Sequence, residues 1–67
     1  MSRLEEELGK ELYDKINNIV ELGQKKIIDV DRFCTTFKML YKEAMQKTNE
    51  DEGIQSTLGY IYLKVME

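Results

Sequence analysis

Leu4, Leu8, Leu12, Ile16 and Ile19 recur every three or four residues, and most positions between them are charged or amide side chains. That spacing lines up one apolar face on a helix. Ser2 and Glu5 stand at the separation of a capping box, in which each side chain satisfies an otherwise unpaired backbone N–H. Glu5, Glu6 and Glu7 fall in the first turn, where the helix dipole favours negative charge. Gly9 weakens the helix at modest cost. The pattern therefore predicts a helix over 2–22, stopped by a left-handed Gly23.

A second line follows. Asp29 is the expected N-cap and Val30 the first helical position. Val30, Phe33, Phe37, Leu40 and Ala44 repeat at spacings of three and four, the rhythm of closely aligned helices. Cys34, Tyr41 and Met45 widen the stripe, and a helix is predicted over 29–47. Asn49 and Glu52 form another cap-like pair, with Glu50 and Asp51 in the first turn. A third helix over 50–66 would carry Ile54, Leu58, Ile61 and Val65 on one face. The competing reading makes Gly59–Val65 a strand, because the run is rich in aromatic and branched residues. A single strand would have no partner. The expected fold is all-α: a small three-helix bundle that dimerises.

Length narrows the options. Sixty-seven residues allow one small helical domain with a modest core. Cys34 is the only cysteine and histidine is absent, which leaves no intrachain disulfide and no ordinary structural zinc site. The lone thiol and the acidic start, with no export segment, predict a reducing cytoplasmic setting. No apolar run is long enough to span a bilayer. The net charge of −3 weighs against a nonspecific nucleic-acid binder, which needs a basic stripe for phosphates.

The segment from Gly23 to Phe33 imitates a calcium loop and fails as one. Aligning Ile28 with the apolar position of an EF-hand places Lys25, Lys26 and Arg32 where carboxylates and a glycine are required. It reads instead as the corner of a helical hairpin. Catalysis fares no better: Thr35 and Thr36 have no visible base, and Cys34 borders the core stripe, where a free thiol is usually a small hydrophobe. No catalytic residue, metal ligand or cofactor is assigned, and the chain is expected not to be an enzyme. A DNA-reading helix two would have only Arg32, Thr35, Thr36 and Lys38 as readers, flanked by acidic helix ends.

Two surpluses point outward. Glu50-Asp51-Glu52, and separately Glu5-Glu6-Glu7 with Glu11, could face a basic partner, since charge complementarity speeds and selects association. Helix three carries Tyr60, Tyr62, Leu63 and Met66 outside its buried line, with Lys64 the only charge between Ile54 and Met66. A helix apolar nearly all round asks for burial on more than one side. The expected partner-binding set is therefore Glu50, Asp51, Glu52, Tyr60, Tyr62, Leu63 and Met66.

The run from Val20 to Glu43 also resembles a pattern of small bacterial and phage helical proteins. In these a helix ends at a glycine, an Ile and a cap follow, and aromatic residues then recur at helical spacing. Ile28, Asp29, Phe33, Phe37, Leu40 and Tyr41 are the matching positions, and the run covers about a third of the chain. Colicin-D-type immunity proteins look like this. The resemblance rests on core and cap positions, so it carries no site residue across. It implies a small acidic protein that binds one cytoplasmic protein and blocks it.

The functional expectation is a non-enzymatic protein–protein interaction module of the immunity, antitoxin or phage-inhibitor kind. Two alternatives stand beside it. One is a dimeric DNA-associated regulator using helix two; the other is a self-assembling structural subunit.

Overall fold

The computed structural model describes residues 3–67, so the Ser2 half of the expected capping box lies outside the described residues. They form α1 (Arg3–Leu8), α2 (Lys10–Gln24), α3 (Val30–Lys47) and α4 (Glu52–Met66), with no strand among them. The all-α expectation holds, and Gly59–Val65 is helix. The first predicted helix is instead two, because Gly9 takes φ +86 and ψ 151, a backbone region closed to residues with a Cβ. The break is a kink with its hydrogen bonds intact on both sides. Gly9 N–H donates to the Glu5 carbonyl at 2.9 Å, and Tyr13 N–H donates to the Gly9 carbonyl at 3.0 Å.

The exit of α2 corrects the role expected of Gly23. The helix runs through it, and the left-handed residue is Lys26, at φ 57. Ile27 N–H donates to the Leu22 carbonyl and Lys26 N–H to the Gly23 carbonyl, both at 3.2 Å. This pairing is a Schellman motif, in which two orphan carbonyls find donors beyond the helix end. Asp29 does stand at the N-cap of α3, in extended conformation, but its side chain makes no capping hydrogen bond.

The second corner also shifts from its expected place. Asn49 and Glu50 are both left-handed, at φ 57 and 58, and Glu50 N–H donates to the Met45 carbonyl at 2.7 Å. Asn49 is thus consumed by the exit from α3 and caps nothing. The N-cap of α4 is Asp51, whose Oδ1 accepts from Ile54 N–H at 3.0 Å, so α4 begins at Glu52.

Packing follows the three apolar lines. Leu8, Leu12, Ile16 and Ile19 are buried against Phe33, Phe37, Ala44 and Met45 of α3 and against Ile54 and Leu58 of α4. Helix α2 touches both α3 and α4, and those two touch each other. Leu4, Leu40, Ile61 and Val65 complete the core as half-buried members. Val30 departs from its expected line. It lies in the first turn of α3, at one end of the molecule, and is 58% exposed.

Candidate functional site

The residues expected to bind a partner are spread along α4. From Glu52 to Met66 the helix rises roughly 21 Å, at 1.5 Å per residue. Glu50 and Glu52 are exposed at the N-terminal end, beside the α3–α4 corner. Asp51 is half-buried, and its carboxylate is engaged in capping α4. Leu63 and Met66 belong to the other end, and Tyr60 lies near the middle, about 12 Å along the axis from Glu52. The acids therefore form no rim around the apolar residues.

Tyr62 does not join the outward set. It is half-buried, with its ring stacked on Phe33 (centroids 5.9 Å, interplanar angle 13°) and tilted against Phe37 at 5.3 Å. Its hydroxyl and the Cys34 thiol share one hydrogen bond of 3.0 Å. That bond, with burial second, raises the phenol above its ordinary pKa of 10.0. Tyr62 lies about 80° from the buried line of α4, so at 100° per residue it turns towards α3 and not outward. Helical spacing alone left it at the edge; the aromatic face of α3 captures it.

Tyr60 and Leu63 do point away from the core, at 64% and 66% exposure. Lys64 Nζ lies 5.8 Å from the Tyr60 ring centroid and 3.6 Å from a Glu67 carboxylate oxygen. Where the α2–α3 corner meets the end of α4 is an open groove of about 400 Å³. Its floor is Gly23, Phe33 and Val65, and its walls are Ile28, Val30 and Met66. Lys26, Asp29 and Glu67 supply charge of both signs at the rim. Ile27, 67% exposed, follows Lys26 at the same corner.

Helical spacing puts Tyr60, Leu63 and Met66 outward, as they are found, whereas the exposure of Ile27 and Val30 is not among the expectations. The signal for Ile27 was present: adjacent residues of a corner do not both face the core, and Ile28 is the one turned in. Val30 carried no such signal, because its spacing to Phe33 is that of a core position.

The rest of the surface offers less chemistry. Among the described residues every fully buried side chain is apolar, and no group of three His, Cys, Asp or Glu could hold a metal ion. Thr35 and Thr36 follow Cys34 on α3, and among the described residues no hydrogen bond links either to an acid or base. No described helix is long and apolar enough to cross a membrane. No family model, curated protein or solved structure matches the chain.

Proposed function

We propose that this chain is a non-enzymatic interaction module that binds another protein and blocks it, as expected of an immunity, antitoxin or inhibitor protein. The observation carrying the reading is that two exposed large apolar side chains, Val30 and Met66, wall one groove, while Tyr60 and Leu63 of the same helix as Met66 are exposed as well. Ile27, Tyr60 and Leu63 stand outside the groove. Scattered apolar residues are normal on a surface, whereas an apolar groove rimmed by charge, as Lys26, Asp29 and Glu67 rim this one, fits a docking face. The groove presents no buried polar group to orient a small ligand, which favours a protein partner over a metabolite.

The binding face is thus assigned to the α2–α3 corner with the outer side of α4, and the Glu50–Glu52 cluster is left out of it. Val30→Asp and Leu63→Asp should each abolish retention of the specific partner by the tagged chain. Met39→Asp and Glu52→Ala should not. The purified partner should lose its own activity when the wild-type chain is added and keep it with the Leu63 variant. Equal retention by Leu63→Asp and Met39→Asp would refute the assignment.

A further inference from the structure

We propose that α3 and α4 can join into one continuous helix, so that two copies of the chain exchange α4 and form an antiparallel dimer. Three independent observations converge on the α3–α4 corner. The first is its backbone. Asn49 and Glu50 are consecutive left-handed residues without a glycine at either position, a conformation that crowds each Cβ against the following carbonyl. Thr48-Asn49-Glu50-Asp51 contains neither glycine nor proline, so nothing covalent stops a helix from running through it.

The second observation is phase. Phe33, Leu40, Lys47, Ile54 and Ile61 are spaced seven apart, as are Phe37, Ala44, Asp51, Leu58 and Val65. Both series cross the corner without losing a residue. Separate helices joined by a turn have no need of a common register. A single helix over 30–66 would carry one unbroken apolar seam, polar only at Lys47 and Asp51.

The third is the pairing already present within one chain. Helix α4 runs back along α3, with Tyr62 against Phe33, Cys34 and Phe37, and Val65 beside Phe33. Opening the corner about a two-fold axis at residue 49 returns the same contacts, now made to α4 of the second copy. At the axis, Lys47 of one copy meets Asp51 of the other, opposite charges at the one polar layer of the seam. The exchange releases both left-handed residues in each copy and replaces the Asp51 cap and the Glu50–Met45 bond by ordinary helix bonds. A strained, short corner is the usual site of such a swap.

The test refolds the full chain from denaturant at millimolar and at low micromolar concentration and measures its mass by light scattering. A Cys34→Ser, Thr35→Cys, Lys64→Cys chain carries two spin labels and is refolded with excess unlabelled protein. A dimer is expected at the higher concentration, with an intrachain label distance near 44 Å, since 29 residues of helix rise about 1.5 Å each. The closed chain measures only 30 Å along its longest axis and would give a short distance. Asn49→Gly with Glu50→Gly relaxes the closed corner and should weaken the dimer by about tenfold or more. Asn49→Ala with Glu50→Ala should strengthen it. A monomer at every concentration, a dimer with the short intrachain distance, or an unweakened glycine variant would each overturn the proposal.

Discussion

Gly23 lies directly beneath Val65. A Cβ built on the glycine would stand 2.7 Å from Val65 Cγ1 and 2.9 Å from Phe33 Cε1, closer than real Cβ contacts allow. Neither neighbour yields easily, because Val65 is β-branched and Phe33 is buried in the aromatic cluster. Gly23→Ala would gain about 1 kcal/mol of helix propensity and lose about 1–3 kcal/mol to overpacking. Net destabilisation of roughly 1 kcal/mol is expected in urea unfolding. Gly59 is the control: it is also helical, and a Cβ there meets nothing within 4 Å. Gly59→Ala should stabilise by about 0.5–1 kcal/mol.

Two aspartates at helix starts should behave differently. Asp51 Oδ1 accepts a hydrogen bond from Ile54 N–H, whereas the Asp29 side chain caps nothing. Asp51→Ala should cost about 1 kcal/mol, the usual loss for an N-cap acceptor. Asp29→Ala loses only its interaction with the helix dipole and should cost about 0.5 kcal/mol or less. Urea midpoints at neutral pH separate the two, and equal losses would mean that Asp29 does cap α3 in solution.

These contrasts show where periodicity informs and where it stops. The lines through Leu12, Phe33 and Leu58 were legible because a 3.6-residue repeat has only one way to bury itself. Corners were less legible, since both left-handed exits use residues other than glycine. Lys26 and Asn49 occupy positions that Gly23 and a cap were expected to explain. Gly23 is retained in α2 for space, a reason visible only once α4 is laid across it. Of the expected binding set, the exposure of Tyr60, Leu63 and Met66 follows from helical angle alone. Tyr62 does not, because its place depends on Phe33 and Phe37 of another helix.

Alkaline pH should reveal the Cys34–Tyr62 contact. The hydrogen bond to Cys34, helped by burial, holds the phenol's proton more tightly in the folded chain than in the unfolded one. The unfolded chain therefore ionises first, near the ordinary value of 10.0. This contribution to stability is full below that pH and is lost as pH rises through the higher folded value. Tyr62→Phe keeps the ring on Phe33 and Phe37 but removes the titrating group. Stability measured by urea at increasing alkaline pH should fall less steeply in the variant than in the wild type. Equal slopes would mean that another group carries the alkaline loss.

The six-residue α1 is too short to persist alone, since isolated helices need about 12–15 residues to be even marginal in water. Leu8 holds it down: it is fully buried among the core residues and stands immediately before the Gly9 kink. Leu8→Ala should cost about 2–5 kcal/mol, against a total of roughly 3–10 kcal/mol for a chain of this length. Gly9→Ala attacks the same docking from the backbone, because φ +86 with ψ 151 is closed to alanine at a cost of about 1–3 kcal/mol. The substituted chain can escape that strain by straightening into one helix, which swings Leu4 and Leu8 off the core. Both variants should lose protection of the α1 amides in hydrogen exchange, and the double variant should lose less stability than the two singles added. Full additivity would show that Gly9 bends the chain for a reason other than delivering Leu8 to the core.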